Sequence, residues 1–396
     1  MGQQQSRCER NSTRHLCHHV SAIKAERTIK EVSFRIFYNR ERPATSWQEF
    51  LFSCSLCCRC IFTFCCPPCP PCIIQKMAFA PPDPTYELVA FGPRRNNDYR
   101  IRLSQDANDY LNLIYTADFI QTLVRCFYVQ SSSSRRRIAC VYCRRSARFI
   151  EKGRKTLLLS HSNAEDLGLM VGRIAMTSVL LQVDVLAYDY SGYGRSGGPC
   201  SEQNLYENID DVYEFMIKTM KIPWQQIVTV GTSLGSAPTI YLASKRCVRA
   251  VVLQGSFASA LRTWCPNRQT TSCIDRFLNV ERIVGVMCPT LFIHGSQDEL
   301  FPIQHVLQLR KRCPGAAAID PLIIEDGGHV DFEKYDEYWR TFHDFLSNLE
   351  DAPAPFCKQP ISFRARRRKR NTQTQTRRRR RMHCSVKSPK AAIARK

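Results

Sequence analysis

Long apolar runs and a secretory leader are absent from this sequence. No stretch of 18 or more apolar residues occurs, which argues against a helix that crosses a bilayer. The first 30 residues are polar and lack the apolar region of a signal peptide. Most cysteines outside a single cluster have no regular spacing. These absences argue against a secreted, disulfide-linked scaffold and favour a reducing compartment.

Acidic residues are absent from the last part of the chain. Residues 352–396 contain 16 Lys and Arg and no Asp or Glu, whereas residues 1–72 contain 10 basic and 5 acidic residues. Residues 73–351 contain 31 basic and 30 acidic residues, so the formal net charge of +22 lies mainly in the tail. The body is nearly neutral, and we expect no specific nucleic-acid partner for it.

The composition divides the chain into four parts. We expect a disordered N-terminal extension over residues 1–50 and a Cys-rich membrane-anchoring segment over residues 51–75. Residues 76–350 are long enough to bury one large core, and residues 351–396 form a basic tail that we expect to be disordered.

The N-terminal part carries two lipidation patterns. Met1–Ser6 fits the pattern for myristoylation of Gly2, and one such chain needs a second signal for stable anchoring. The second signal is a set of thiols interleaved with Phe, Leu and Ile, which predicts S-acylation and an interfacial position. These candidate sites are Cys54, Cys57, Cys58, Cys60, Cys65, Cys66, Cys69 and Cys72.

Zinc binding is the competing interpretation of the cysteine cluster. Cys57 and Cys60, followed by Cys69 and Cys72, have the paired spacing of a zinc ribbon. Adjacent Cys-Cys and Pro-Pro pairs do not suit two tight knuckles, so we predict no metal site, and inert thiols are the third alternative.

Two arginine-rich blocks, Arg364–Arg370 and Arg377–Arg381, form the tail. Three uses fit them: attraction to an anionic membrane surface, a nuclear import signal, or loose RNA binding. The membrane surface agrees best with an acylated head, and import would place a fraction of the protein in the nucleus.

Apolar strands alternate with amphipathic helices through the body. A hairpin is predicted around Ser131–Ser134, and a helix is predicted from about Glu202 to Met220, with another ending near Ser244. Further strands are predicted at 156–160, 183–188, 227–230, 250–253, 290–294 and 322–324. This alternation predicts an α/β fold with a mostly parallel sheet covered by helices on both faces.

A nucleophile pattern follows one of these strands. Gly231–Gly235 reads G-x-S-x-G, with an apolar strand before it and a helix after it. In that context the pattern predicts a sharp turn that lifts the hydroxyl of Ser233 above the sheet. A simple strand-to-helix turn is the alternative.

The base and the acid are expected after the serine, each in a loop that follows a strand. His329 lies after the strand 322–324, and Asp298 lies after the strand 290–294, with Glu299 as its neighbour and rival. We expect Ser233, Asp298 and His329 to be catalytic. Of the other histidines, His294 is expected to be structural, His305 and His343 to lie at the surface, and His383 in the tail.

An oxyanion hole requires two backbone N–H groups. The residue after the nucleophile, Leu234, supplies one candidate. The loop that follows the strand 156–160 supplies the other, for which we choose Asn163, with Ser162 as the neighbouring alternative. Asp189 is expected to organise the turn between Tyr188 and Ser196.

From about Phe52 to Leu349 the sequence resembles the alpha/beta hydrolase domain-containing protein 17 family, within the α/β-hydrolase superfamily. The resemblance rests on the cysteine-rich segment at 65–70, on Ala80–Tyr86, on Tyr188–Gly194, on the turn around Ser233, and on Ile293–Glu299 with Gly328 and His329. It implies an α/β-hydrolase fold, and it places the nucleophile, acid and base on the three residues chosen above. The family usually has glycine where this chain has Ser162.

The resemblance implies a membrane-associated serine hydrolase that removes palmitate from protein cysteines and is itself palmitoylated. We expect no cofactor, S-palmitoylated membrane proteins as substrates, and a peripheral position on the cytoplasmic face of the plasma membrane and endosomes. About 35 residues separate Leu253 from Thr290, which predicts little or no cap domain. The alternatives are a lipid or small-ester hydrolase and a catalytically impaired, membrane-tethered interaction protein.

Overall fold

A computed structural model describes residues 78–90, 97–105, 107, 124–144, 154–316 and 319–351. The expectations for Gly2, for the eight clustered cysteines, for residues 1–50 and 51–75, and for the tail beyond Asp351 lie outside these residues.

A single mixed sheet of ten strands runs through the described residues. Its order is β1-β2-β3-β4-β6-β5-β7-β8-β9-β10. The strands are β1 (Tyr86–Ala90), β2 (Tyr99–Leu103), β3 (Val124–Gln130), β4 (Arg137–Cys143), β5 (Thr156–Ser160), β6 (Asp184–Tyr188), β7 (Ile227–Thr232), β8 (Ala250–Gln254), β9 (Thr290–Gly295) and β10 (Leu322–Ile324).

The type of strand pairing changes once across the sheet, at β6. The pairs from β1 through β4 to β6 are antiparallel, and the pairs from β6 through β5 to β10 are parallel. Every residue of β5, β6, β7, β8 and β9 is buried, which explains why these strands consist mainly of apolar residues. Because they are parallel, their carboxyl ends meet at one edge of the sheet.

Helices cover both faces of the sheet. They are α1 (Leu167–Leu180), α2 (Glu202–Lys218), α3 (Ser236–Ala243), α4 (Ala260–Trp264), α5 (Asn279–Arg282), α6 (Gln304–Arg312) and α7 (Asp336–Asp351). One apolar cluster joins α2, α3, α5 and α6 to the sheet, and a second joins α1 and α7 to its other face.

The two longest helices bury residues at helical spacing. In α2 the buried apolar residues are Leu205, Ile209, Val212 and Met216, which recur every three or four positions. Ser201 caps this helix, because its hydroxyl accepts a hydrogen bond from the N–H of Asn204 at 3.0 Å. In α7 the same spacing buries Tyr338, Phe342, Phe345 and Leu349.

The predicted alternation is confirmed, with shifts of at most two residues at element ends. The hairpin around Ser131–Ser134 joins β3 to β4, and α2 ends at Lys218 rather than Met220. Strands β1 and β2 lack the apolar pattern on which the other strands are predicted. Each is five residues long and has one buried residue, Tyr86 in β1 and Ile101 in β2. In β2 exposed arginines alternate with the other residues, and in β1 the short apolar run is mostly exposed, so neither shows the long apolar stretch of a buried strand.

The segment between β8 and β9 holds only short helices. It contains α4, α5 and one turn of 3-10 helix at Ile283–Gly285, in agreement with the small cap expected. Within the described part of the chain, no helix combines the length and the apolar character needed to cross a bilayer.

Candidate active site

Ser233 lies on a strained turn between β7 and α3. Its φ of 52° is in the left-handed region, which is uncommon for a residue with a side chain. A 3-10 turn over Ser233–Gly235 leads into α3. Gly235 makes this turn possible, because a Cβ at that position would lie 2.1 Å from the carbonyl oxygen of Ser160 at the end of β5. The predicted sharp turn is therefore confirmed.

His329 reaches Ser233 from the loop after β10. Its Nε2 lies 2.8 Å from the Ser233 Oγ. Ser233 is 4% exposed and the His329 side chain is 19% exposed, so the hydroxyl is nearly covered while the imidazole meets solvent. An imidazole nitrogen at this distance can accept the hydroxyl proton.

Asp298 completes the array from the turn after β9. Its Oδ2 lies 2.8 Å from the Nδ1 of His329. Its Oδ1 accepts hydrogen bonds from the N–H groups of Leu300, at 2.9 Å, and Phe301, at 2.8 Å. The carboxylate is thus fixed by two backbone donors and presents one oxygen to the imidazole.

The pKa of Asp298 lies below its ordinary value. Burial acts to raise this pKa, but the hydrogen bond and charge of His329 and the N–H of Phe301 outweigh burial. Asp298 therefore remains ionised and favours the tautomer of His329 whose Nδ1 carries the proton. This leaves Nε2 free to act as a base toward Ser233.

Gly255, which the sequence analysis did not select, supports His329. It follows β8 with a φ of 51°, and a Cβ there would lie 2.6 Å from the carbonyl oxygen of His329. The ring of Phe301 also meets the imidazole edge-on, with 5.0 Å between ring centroids. These contacts fix the position of the histidine loop.

The other histidines differ in burial and in their contacts. His294 is fully buried, and its Nε2 donates to the carbonyl oxygen of Phe301 at 2.9 Å, which confirms a structural role. His343 is exposed, as expected. His383 lies outside the described residues.

The expectation that His305 lies at the surface is wrong. His305 is fully buried, and its Nδ1 accepts a hydrogen bond from the N–H of Ala258 at 3.1 Å. Burial lowers its pKa to about 4. It shares the buried face of α6 with Val306 and Leu309, and this spacing was the available signal.

Glu299, the rival acid, is exposed, and His329 contacts Asp298 instead. Asp189 organises its turn as expected, because its carbonyl oxygen accepts a hydrogen bond from the hydroxyl of Ser196 at 2.8 Å. Its buried carboxylate accepts from the Tyr86 hydroxyl and from the N–H of Leu167.

The loop after β5 lies against the Ser233 turn. A Cβ on Gly235 would be 2.8 Å from the carbonyl oxygen of His161, so the two candidate oxyanion segments are in direct contact. The N–H of Ser162 donates to the carboxylate of Glu165 at 3.3 Å, which favours Asn163 over Ser162 as the second donor. Ser162 is not among the described residues with positive φ, so its backbone does not require glycine.

In the described part of the chain, no group of three or more His, Cys, Asp or Glu side chains is arranged to hold a metal ion. The polar array at the sheet edge consists of a hydroxyl, an imidazole and a carboxylate in hydrogen-bonded sequence. Such an array can activate a serine for attack on an acyl carbon.

Comparisons with known proteins agree with the fold and the resemblance. A family model described as the alpha/beta hydrolase fold matches residues 155–270. Alpha/beta hydrolase domain-containing protein 17B of Xenopus tropicalis is 36% identical over 292 residues, which cover 74% of this chain and 95% of that protein. The human 17B protein is 35% identical over 292 residues, with the same two coverages. The 17C protein of Mus musculus is 34% identical over 303 residues, covering 72% and 92%. The chain therefore belongs to the alpha/beta hydrolase domain-containing protein 17 family and is a hydrolase with the α/β-hydrolase fold.

Proposed function

We propose that this protein is a serine hydrolase that cleaves palmitoyl thioesters on cysteines of membrane-associated proteins. The observation that carries the proposal is the continuous hydrogen-bonded array from Ser233 through His329 to Asp298, with 2.8 Å at each contact. In this proposal the three residues act as nucleophile, base and orienting acid.

The first half-reaction transfers the acyl group to the enzyme. His329 accepts the proton of Ser233 as the serine oxygen bonds to the thioester carbonyl carbon. The negative oxygen that forms would be held by the N–H groups of Leu234 and Asn163, and one such donor contributes ~2.7–4 kcal/mol in other enzymes. The carbon–sulfur bond then breaks, and the leaving thiolate takes the proton from His329.

The second half-reaction regenerates the serine. A water molecule gives a proton to His329 as its oxygen attacks the palmitoyl ester on Ser233. The bond between the acyl carbon and the serine oxygen breaks, palmitate leaves, and the proton returns from His329 to the serine. Asp298 remains ionised throughout and stabilises the charged imidazole.

An aromatic cluster extends behind the array. The ring of Phe301 contacts His329 and Phe257, with 5.0 and 5.1 Å between centroids, and the ring of Phe277 contacts Phe257 at 6.2 Å and Phe79 at 5.8 Å. Phe257, Phe277 and Phe301 are buried in the core, and Phe79 is the partly exposed member of the cluster. In the proposal Phe79 is therefore the aromatic side chain available to an acyl chain, and each methylene that the substrate buries contributes about 0.8 kcal/mol.

The short segment between β8 and β9 favours a substrate presented by a large protein. Only two short α-helices and one 3-10 turn stand between these strands, so no large lid has to open. Acylation of the clustered cysteines would hold the enzyme at the membrane that carries its substrates and raise their effective concentration. We include this peripheral membrane position in the proposal.

The test is hydrolysis of a palmitoylated cysteine peptide by the purified full chain. We expect release of free thiol and palmitate, and complete loss of both in Ser233→Ala. Ser244→Ala is the matched control, because its hydroxyl lies at the end of α3 and bonds only to the carbonyl oxygen of Tyr241 in the hydrogen bonds described. Turnover by Ser233→Ala at the wild-type rate would overturn the proposal.

The same assay separates the alternatives. A lipid or small-ester hydrolase would cleave oxyesters and leave the palmitoyl thioester intact. A catalytically impaired interaction protein would cleave neither substrate and would fail to react with a fluorophosphonate. The backbone of Ser162 favours an active enzyme, because it adopts a conformation open to any residue.

A further inference from the structure

Two tyrosines from the turn after β6 hold the loop that follows β5. The hydroxyl of Tyr190 donates to the carbonyl oxygen of His161 at 2.6 Å, and the Tyr190 ring stacks on the His161 ring with 4.0 Å between centroids. The hydroxyl of Tyr193 donates to the Oδ1 of Asn163, also at 2.6 Å. Both tyrosines are buried, but only the hydrogen bond of Tyr190 lies wholly in the core, because Asn163 is partly exposed.

Asn163 receives a second donor from a distant part of the chain. The N–H of Ala80 donates to the same Oδ1 at 2.9 Å. The neighbouring Phe79 packs edge-on against Tyr193, with 6.4 Å between centroids. One amide oxygen thus joins three segments: the loop after β5, the turn after β6 and the segment that precedes β1.

We propose that Tyr193 is a positioning residue that, with the Ala80 N–H, fixes the Asn163 side chain and thereby orients the backbone N–H of Asn163 toward the oxyanion. The inference rests on the proposed serine-hydrolase chemistry, but not on the identity of the acyl substrate. Tyr193 touches no reacting atom and acts through Asn163.

The place of the Tyr193–Asn163 hydrogen bond in the loop explains why the orientation of the Asn163 N–H depends on it. On its Ser162 side, the loop is fixed by the hydrogen bond from the Ser162 N–H to Glu165, whose carboxylate accepts from Arg173 at 2.8 Å. Beyond Asn163, Ala164 is exposed. Beside these contacts of Glu165, the Asn163 side chain ties the exposed middle of the loop to the turn after β6 and to the segment before β1.

The segment that supplies Ala80 lies close in sequence to the cysteine cluster. Cys72, the last of the clustered cysteines, precedes Ala80 by eight positions. The chain that leaves the predicted anchor therefore takes part in the support of the candidate oxyanion loop. Membrane attachment and the geometry of the active site share this short connection.

The experiment is a double-mutant cycle with Tyr193→Phe and Asn163→Ala in the full chain, assayed with p-nitrophenyl butyrate. Complete loss of an oxyanion donor lowers kcat about 100- to 1000-fold in other enzymes, so we expect a loosened donor to lower it at least about tenfold. We expect KM to change less than about twofold, because the substrate ground state does not require the donor. The double variant should be no slower than Asn163→Ala, because both changes break the same contact.

A purely structural role would give another pattern. Tyr213→Phe is the control, because it removes a tyrosine hydroxyl that donates to the carbonyl oxygen of Cys247, away from the serine array. The kcat of this variant should equal that of the wild type when the enzyme concentration is taken from fluorophosphonate labelling. Wild-type kcat in Tyr193→Phe, or fully additive effects in the double variant, would overturn the proposal.

The role of Tyr193 can be tested independently of the identity of the acyl substrate. If Tyr193→Phe does not fold, Asn163→Ala alone decides, because a wild-type kcat in that variant would overturn the proposal. If the wild type cleaves the small ester but not the palmitoyl thioester, the substrate assignment fails while the cycle still decides the role of Tyr193. If no ester is cleaved, the rate of fluorophosphonate labelling replaces kcat, because phosphonylation also places a polarised oxygen in the hole.

Discussion

Gly255 lies directly beneath His329, at the edge of the sheet where β8 and β10 end. A Cβ on residue 255 would lie 2.6 Å from the carbonyl oxygen of His329 and 3.2 Å from its Cε1. No residue other than glycine fits this contact without movement of the histidine loop. The position of the candidate base therefore depends on the absence of a side chain at the end of β8, a strand that β9 separates from β10.

Gly255→Ala should impair catalysis by moving His329. The methyl group would displace the loop, and a displacement of about 1 Å lowers activity roughly 100-fold in other enzymes. The positive φ of 51° adds strain to the alanine variant. The measurement is kcat of the purified variant with p-nitrophenyl butyrate, with folding checked by urea denaturation.

Gly197→Ala is the matched control for this change. A Cβ at 197 would meet its nearest neighbour, the carbonyl oxygen of Arg137, at 3.8 Å, which is an ordinary contact. The control should keep its activity. Equal activity in the two folded variants would contradict the role given to Gly255.

Asp298→Asn should reduce kcat by about 1,000- to 10,000-fold, because an amide does not hold the tautomer of His329 that frees Nε2. KM should change little, since Asp298 contacts the histidine rather than the substrate. Asp320→Asn is the control, because the Asp320 side chain is 98% exposed and pairs only with Arg310 in the ion pairs described. A folded Asp298→Asn variant with wild-type kcat would exclude Asp298 as the orienting acid.

His305 should make folding stability depend on pH. Burial lowers its pKa to about 4 in the folded state, whereas an unfolded histidine titrates near ~6.5. The unfolded state therefore binds the proton first, so this group costs no stability above about pH 6.5, stability falls between about pH 6.5 and pH 4, and below pH 4 it stays at the reduced value. The slope is at most ~1.4 kcal/mol per pH unit.

His305→Gln isolates this contribution. The glutamine carbonyl can still accept the N–H of Ala258 and does not titrate. Urea denaturation at pH 7 and pH 5 should show that the variant loses roughly 2 kcal/mol less than the wild type between these values. Equal losses in both proteins would show that His305 does not resist protonation.

Arg262 and Asp275 form a buried pair in the segment between β8 and β9. Their charged groups are 3.6 Å apart, and the Ser259 hydroxyl accepts from Arg262 at 3.1 Å and donates to Asp275 at 2.7 Å. Arg262→Met would leave the buried carboxylate of Asp275 without its cation, a change that costs about 3–5 kcal/mol in other proteins. Chemical denaturation measures this loss.

The exposed pair of Arg310 and Asp320, at 2.8 Å, provides the comparison. Arg310→Met should cost at most about 1 kcal/mol, because water screens exposed ion pairs. If Arg262→Met were no more destabilising than Arg310→Met, the buried pair would not organise this segment.

The parts of the fold that are readable from the sequence are those with local signals. The buried parallel strands show continuous apolar runs, and the turn at Ser233 is marked by two glycines between such a strand and a helix. His329 and Asp298 were selected because each follows a strand whose carboxyl end must meet the same sheet edge. The contacts at 2.8 Å agree with that selection.

The features that were missed depend on contacts between segments remote in sequence. Gly255 matters for the site because the His329 loop packs against it, and Tyr193 matters because its hydroxyl donates to Asn163. Neither contact has a signal in the local sequence. His305 appeared exposed because its helix is mostly polar, although Val306 and Leu309 indicate a buried face. No local pattern reports which side chains face one another across a sheet edge.

The most direct test of the central claim is the identity of the residue that carries the acyl group during turnover. The full chain is mixed with a palmitoyl thioester, quenched in acid within a single turnover, digested and mapped by mass spectrometry. We predict a palmitoyl ester on the peptide that contains Ser233. A variant that hydrolyses the acyl-enzyme more slowly should accumulate more of this ester. Turnover with palmitate found only on cysteines, and never on Ser233, would contradict this prediction.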